Sequence, residues 1–482
     1  MSGSGGHGAR AVLCLITWLA LTTAPAAAVC SGDCNGDGEV TVADLIAAVN
    51  VSLGSAPLSS CAASDGDGNG EVSVAELIQA VSASLQGCPA ETPTATSSPS
   101  STASPNPTAT PTGAGLDCAV SGVICTVAGT GQAQYDGDGR PALQTSLYFP
   151  IALQFDAQGR LLIMDWNNLR LRRIEPDGTI ATIMGIGSED FPTDGALAID
   201  TPLHHANDMA FDTLGNLYIA GDHVPLVFLV DLEQRVRLVA GTQDYGYAGD
   251  GGPALEAQLE TPIGVLPDGR GGVYIGDVDA NVVRHVGDDG IISTVAGTGE
   301  KGYAGDGGPA TAAQLAGPAR LRFGPEGDLS FCETKNHIIR RLRADGSLST
   351  VAGSGGRRGY SGDGGAATAA LLDTPYDLRF APNGDLYVAD LGNNVIRRID
   401  TAGVISTVVG DGQARYGGDG GPASVASLKR PSGILFDTAG SLWIADTANQ
   451  RVRRVTGFLG PLAAAFERQP RPQDRRPAQK TP

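Results

Sequence analysis

Basic residues are scarce. The 482-residue chain has 33 Lys and Arg against 52 Asp and Glu, a formal net charge of -19. That balance excludes a protein that wraps nucleic acid, whose phosphates demand cationic side chains. It suits a soluble secreted protein, or one that gathers cations. Charged residues make up only 18% of the chain. After the N-terminal apolar run, no stretch approaches the roughly 20 residues needed to span a bilayer. A nucleophile–base constellation, a phosphate loop and a nucleotide fingerprint are also missing. Segments such as "GTGEKG" (Gly297–Gly302) follow predicted strands but open no helix of a βαβ unit. What is plentiful is glycine (68) and proline (29), the composition of many short strands and turns. The length allows two or three domains.

The first 28 residues read as a secretory leader. Arg10 supplies the positive end, "AVLCLITWLALTTA" the short apolar core, and Ala26–Ala28 the small-residue cleavage pattern. The mature chain is therefore expected to be extracellular, cell-surface or periplasmic, without a membrane span. Export sets the redox context for the cysteines. Cys30, Cys34, Cys61 and Cys88 fall in one segment and are expected to form two disulfides, in any of three connectivities. Cys118 and Cys125 are expected to form another. Cys332, in "LSFCET", is expected to be a packed thiol on a buried strand.

Residues 29–88 contain two twelve-residue acidic loops, "DCNGDGEVTVAD" (Asp33–Asp44) and "DGDGNGEVSVAE" (Asp65–Glu76). Oxygen side chains occupy places one, three and five: Asp33, Asn35 and Asp37, then Asp65, Asp67 and Asn69. Gly38 and Gly70 sit at the sharp turn. Glu39 and Glu71 offer backbone carbonyls, Thr41 and Ser73 act directly or through water, and Asp44 and Glu76 close each loop. An oxygen-seeking, seven-coordinate ion takes ligands at this spacing, so the expected cofactor is Ca2+, one ion per loop. Each loop is followed by an apolar helix, "LIAAVNVSLG" and "LIQAVSASLQG", with no helix before it. Such duplicated loop–helix units resemble the dockerin type I module, a small α-helical, EF-hand-like unit. The resemblance implies a cohesin-like partner. Loop places ten and eleven depart from the family's small polar residues, being Val42, Ala43, Val74 and Ala75.

Residues 89–113 are rich in Pro, Thr and Ser and lack apolar bulk, so they read as an extended linker with a reach on the order of 75 Å. Residues 461–482 read as a disordered basic tail. Between them, residues 114–460 carry a repeat. The glycines that end "TVAG"-like strands are Gly129, Gly185, Gly241, Gly297, Gly353 and Gly410, in steps of 56, 56, 56, 56 and 57. Nine or ten residues later stands an aspartate in a "GDGG"-type loop: Asp138, Asp194, Asp250, Asp306, Asp363 or Asp419. In five copies a proline then opens a strand, and alternating segments like "GDLYVAD" and "NVIRRID" follow. Each unit predicts four antiparallel strands, and the fixed period predicts a β-propeller. The phrases "YVADLGNNVIRRID" and "TVAGTGEKGYAGDGGPA" resemble the NHL repeat, in the glycine-rich form of bacterial secreted proteins and the teneurin propeller. The last unit lacks its own "TVAG" strand, and a spare "VICTVAG" (Val123–Gly129) precedes the first. The expected fold is thus mainly β, six-bladed, with the N-terminal strand closing the last blade.

Strand alternation places the loop aspartates on one rim with the turns that follow the second strands (Asp165/Asn168, Asp277, Glu333/Asn336, Asp390/Asn393, Asp446/Asn449). The arginine pairs of the third strands (Arg172/Arg173, Arg340/Arg341, Arg397/Arg398, Arg453/Arg454) are expected to run away from that rim. The loop aspartate is expected to accept backbone N–H bonds in its own turn and to fasten blade to blade. The second unit breaks the pattern: it begins its strand with Ala206, lacks the arginine pair, and brings in His204, His205, Asp208, Asp222 and His223. A metal or substrate site there is one expectation, a decayed blade with surface histidines the other. The leading functional expectation is a non-enzymatic secreted protein that recognises a protein or glycan through the propeller face. Alternatives are a lyase- or lactonase-type propeller with a central metal, using the blade-two cluster and Asp377, and a subunit of an extracellular polysaccharide-degrading complex that docks through the calcium module.

Overall fold

In each unit, apolar residues recur over four to six positions between turns rich in Gly, Asp and Asn, and each such run is a strand. The structure, a computed structural model, describes residues 118–459 together with Cys34, Ala47, Val51, Cys61 and Val72. The latch strand is β1 (Val123–Ala128), followed by the short β2 (Arg140–Pro141). Blade one contains β3 (Pro150–Phe155), β4 (Leu161–Asp165), β5 (Arg170–Ile174) and β6 (Thr179–Met184). Blade two contains β7 (Ala206–Phe211), β8 (Leu217–Gly221), β9 (Val227–Val230) and β10 (Val236–Ala240). Blade three contains β11 (Pro262–Pro267), β12 (Val273–Asp277), β13 (Val282–Val286) and β14 (Ile292–Ala296). Blade four contains β15 (Pro318–Phe323), β16 (Leu329–Glu333), β17 (Ile338–Leu342) and β18 (Leu348–Ala352). Blade five contains β19 (Pro375–Phe380), β20 (Leu386–Asp390), β21 (Val395–Ile399) and β22 (Ile405–Val409). After the short β23 (Gly421–Pro422), blade six contains β24 (Pro431–Phe436), β25 (Leu442–Asp446) and β26 (Arg451–Val455).

Blade six is completed by β1, which pairs antiparallel with β26 through Ile124↔Val455, Cys125↔Arg454 and Thr126↔Arg453. The Cys118–Cys125 disulfide ties down the start of this latch, and Thr456 Oγ1 donates to the Cys118 carbonyl at 2.6 Å. Proline begins the inner strand of every blade but the second, where Ala206 does. Its lack of an N–H is tolerated at the first position of a strand.

The core is divided among the blade interfaces. Ile151, Leu162 and Met164 of blade one pack with Met209, Ile219 and Phe228 of blade two. Leu266 and Val283 of blade three meet Leu321 and Phe331 of blade four. The sixth interface closes the ring: Leu435, Ala445 and Val452 of blade six pack on Leu153, Leu161 and Ile163 of blade one. Cys332 is a buried free thiol, as expected from its strand.

Contacts divide the chain into two units, Met1–Ala109 and Thr110–Pro482. In the first, Cys34 and Cys61 form a disulfide, and Ala47 and Val51, one turn apart, are helical. The twelve expected calcium ligands lie outside the described residues. So do the leader, Cys30, Cys88, the spacer and the tail. Among the described residues, no helix is long and apolar enough to cross a membrane.

Candidate functional site

Every "TVAG" strand leads into a loop that crosses from its own blade to the next. The crossing needs glycine twice. Gly297 has φ +94, and a Cβ there would lie 2.4 Å from the Asn281 carbonyl oxygen. Gly305 has φ +96, and a Cβ there would meet the Ala313 Cβ at 2.6 Å. The loop then lies along the outer strand of the next blade, where, in every blade but the second, its aspartate is held by an arginine of that blade's third strand.

Blade four illustrates this clasp. Arg340 is wholly buried and pairs with loop Asp306 at 2.9 Å and with strand-end Glu333 at 3.2 Å. Asn336 donates to the Glu333 carboxylate and, at 2.6 Å, to the Gly302 carbonyl of the loop. Tyr303 covers the guanidinium, 5.4 Å from its ring centre, and shares a 3.2 Å hydrogen bond with Thr350 of the outer strand. The same arrangement recurs with Arg172 on Asp138 and Asp165, Arg397 on Asp363 and Asp390, and Arg453 on Asp419 and Asp446. In blade three Arg284 holds Asp250. Burial pushes the strand-end acids up, to about 6 for Asp165, Asp277 and Asp446 and about 7 for Glu333 and Asp390. The arginine, asparagine and backbone donors pull the other way.

These contacts correct one expectation. The first arginine of each pair points into the loop rim. Only its neighbour faces away, because successive strand residues alternate sides: Arg173 pairs with Glu175 and Arg398 with Asp385. The loop aspartate does fasten blade to blade, but its main partner is this arginine. Its backbone partner is the N–H of the outer strand, as with Thr294 to Asp250 and Thr350 to Asp306, and not of its own turn.

The axis of the ring is filled. Arg320 of β15, 1% exposed, donates to the carbonyls of Ile151 at 2.9 Å and Asn207 at 2.7 Å, and to Ser432 at 3.4 Å. It thereby joins blade four to blades one, two and six. Arg322 bridges Asp208 of blade two at 3.2 Å and Asp377 of blade five at 3.1 Å. Burial alone would raise the Asp377 carboxyl, but Arg322, Arg379 and Arg320 together outweigh it and hold it below its ordinary value. The positions matching Arg320 one unit away on either side are Gly264 and Asp377, and Gly433 follows. A Cβ on Gly264 would lie 2.3 Å from the Ala319 oxygen, so glycine there lets β11 approach the backbone of β15 closely. Asp208 and Asp377, expected as site residues, are spent here.

Blade two lacks the clasp. Phe191, Gly221, Val224 and Phe228 stand where blade one has Tyr135, Asp165, Asn168 and Arg172. Loop Asp194 keeps only a bond from Leu238 N, at 3.0 Å. Into this corner come three of the expected residues. His204 and His205 precede β7, His223 follows β8, and one ring nitrogen of each lies within 4.8 Å of the others. The His205 and His223 ring centres are 4.5 Å apart, and Trp166 of blade one lies 4.3 Å from His205. Nδ1 of His204 and of His205 is buried without a hydrogen-bond partner. Burial, reinforced by the neighbouring imidazoles, holds His205 at about 4. Burial also lowers His204, partly offset by Glu189 and Asp190. Asp222 adjoins the cluster: its N–H donates to the His205 carbonyl at 3.0 Å, and its carboxylate, raised by burial, accepts from Asn207 at 3.4 Å. Asp208 is not part of the cluster.

A groove of about 470 Å3 lies between blades four and five, lined by Asp328 and Asp400 from the turns at the opposite face and by Arg341 of β17 and Phe380 of β19.

Residues 121–304 match the family model of the teneurin NHL domain. Teneurin-1 of Mus musculus is 26% identical over 374 residues, covering 69% of this chain and 13% of the relative. Teneurin-4 of Mus musculus is 29% identical over 347 residues, covering 64% and 12%. Teneurin-m of Drosophila melanogaster is 26% identical over 381 residues, covering 72% and 13%. This chain therefore spans about an eighth of the length of these relatives. Among solved structures, a Bacteroides thetaiotaomicron protein of unknown function superposes with a TM-score of 0.53 at 16% identity, covering 69% of this chain and 75% of its own. An auxiliary nutrient binding protein from Bacteroides ovatus gives 0.52 at 15%, covering 69% and 76%. At these identities the likeness is one of fold.

Proposed function

We propose that this protein is a secreted, non-enzymatic recognition scaffold that binds a protein or glycan through the loop face of its propeller. The carrying observation is a belt of tyrosines. Tyr135, Tyr247, Tyr303, Tyr360 and Tyr416 repeat around that rim, each between 40% and 52% exposed. Each ring is fixed from below by the clasp arginine. Rigid, amphipathic aromatic surface of this kind contributes contact area at little entropic cost. The filled axis supports the same reading, because a ligand has the rim and not a central channel to engage. Export is supported by the leader and by the Cys34–Cys61 and Cys118–Cys125 disulfides. In this proposal the N-terminal loops bind two Ca2+ ions through Asp33, Asn35, Asp37 and Asp44 and through Asp65, Asp67, Asn69 and Glu76, and the module with its spacer positions the propeller, a cohesin-like partner being one way to anchor it.

The test is binding of the full chain to immobilised glycans and to secreted proteins of its own organism, with the contact face mapped by hydrogen exchange. A Tyr303→Ala/Tyr360→Ala variant with an unchanged melting temperature should lose at least tenfold in affinity. Protection confined to the opposite face, or full affinity in that variant, would refute the proposal. Calcium analysis should find two ions per chain, and one in Asp65→Ala/Glu76→Ala.

A further inference from the structure

We propose that His204, His205 and His223 form a binding site for a single late first-row divalent transition metal ion, with zinc as the reference ion and a fourth coordination position open to the loop face. The convergence is geometric. Two residues at the entry of β7 and one at the exit of β8 meet because adjacent antiparallel strands begin and end on one rim. The three candidate nitrogens lie within 4.8 Å of one another. Nitrogens on a tetrahedral zinc ion stand roughly 3.3 Å apart, given Zn–N bonds of about 2 Å. Small side-chain rotations close the difference.

Two further observations point to a ligand. Buried polar atoms in proteins are nearly always satisfied, yet Nδ1 of His204 and of His205 is buried without a partner. A cation would satisfy both. In addition, the positions that carry the polar clasp in the other blades hold Phe191, Gly221, Val224 and Phe228 here, and none of these side chains competes for the imidazoles. Trp166 walls one side, which limits water as the apolar shell of a metal site does. The other histidines of the described propeller are already engaged: His285 pairs with Asp268, and His337 accepts the Thr374 N–H at 3.0 Å.

The donor set selects the ion. Three imidazoles suit Zn2+, Co2+, Ni2+ or Cu2+, whereas Ca2+ and Mg2+ take oxygen ligands. The site is thus chemically separate from the acidic N-terminal loops and can be assayed in excess calcium.

The experiment uses the tag-free full chain, stripped with chelator, returned to Ca2+ and titrated with Zn2+ by calorimetry and with Co2+ by absorption. The expected result is one zinc ion per chain and a Co2+ spectrum of tetrahedral intensity. Co2+ should also quench tryptophan emission, and Trp166→Phe should abolish the quenching. His223→Ala, which alters an exposed side chain, should weaken zinc at least tenfold and keep the metal-free melting temperature. His285→Ala and His337→Ala should bind as the parent does. Absence of a tetrahedral Co2+ spectrum in the parent overturns the proposal without recourse to any variant. Zinc affinity equal in the parent and in His223→Ala overturns it as well.

Discussion

Replacing Arg320 with methionine takes one guanidinium from the axis and leaves several groups without their partner. The carbonyls of Ile151, Asn207 and Ser432 lose donors, Asp208 keeps only Arg322, and Asp377 keeps Arg322 and Arg379. Removing one member of a buried ion-pair network costs about 3–5 kcal/mol, and a buried carbonyl left unpaired adds about 1 kcal/mol. Methionine refills part of the volume and offsets little of this, since the loss is polar. The expected destabilisation is about 4 kcal/mol. For a propeller of about 340 residues, with an unfolding entropy near 2 cal/mol/K per residue, that lowers the melting temperature by about 6 °C. Urea titration and calorimetry measure both quantities. A double mutant gives a second readout. Arg320→Met with Asp208→Asn removes one charge of each sign and leaves Asp377 with Arg322 and Arg379, so the double variant should recover about half of the loss. A loss under about 1 kcal/mol for Arg320→Met, or strictly additive effects in the pair, would show that the blades close without the axial plug.

Arg397→Ala should cost about 3–5 kcal/mol because its guanidinium is wholly buried in the clasp. Arg398→Ala, which breaks a pair that is more than a third exposed on the arginine side, should cost under about 1 kcal/mol, and comparable losses in the two would refute the assignment of roles within the pair. Glu333 is raised from 4.5 to about 7 in the fold, chiefly by burial. The folded state therefore holds the proton more tightly, and the glutamate's contribution is fully present below pH 4.5 and is lost as the pH rises through 7. The stability difference between the parent and Glu333→Gln should accordingly shift against the parent between pH 5 and pH 8. Denaturant midpoints at the two values measure it, and a pH-independent difference would contradict the burial argument. Cys118→Ser/Cys125→Ser should lower stability by about 2 kcal/mol, as expected for a loop of this size, with the loss confined in hydrogen exchange to β1 and β26.

The blade count, the latch and the strand-opening prolines were legible because they repeat at a fixed period, and period survives substitution. The partner of the loop aspartate was legible in principle. Asp138 and Arg172, Asp250 and Arg284, Asp306 and Arg340, Asp363 and Arg397, and Asp419 and Arg453 are each 34 residues apart. The signal was hidden because "RR" reads as one surface feature, while a strand sends the two residues to opposite sides. The axial plug could not be read. Arg320 occurs in one unit only, and Asp208 and Asp377 reach its surroundings only because the ring closes. The histidine corner was placed by strand-end reasoning, but Asp208 lies inside β7 and is aimed at the axis, so proximity in sequence overstated its membership.

The cross-link at the start of the latch also decides where tension would enter the propeller. A pull arriving from the N-terminal side reaches Cys118 and passes through the sulfur bridge to Cys125, whose partner in β26 is Arg454. The segment between them is mechanically bypassed. Without the bridge, the same pull would peel the strand from its first rung, one hydrogen-bonded pair at a time. With it, load is delivered to the interior of the ladder and several rungs must yield together, so an oxidising surrounding would set how firmly the ring stays shut under traction.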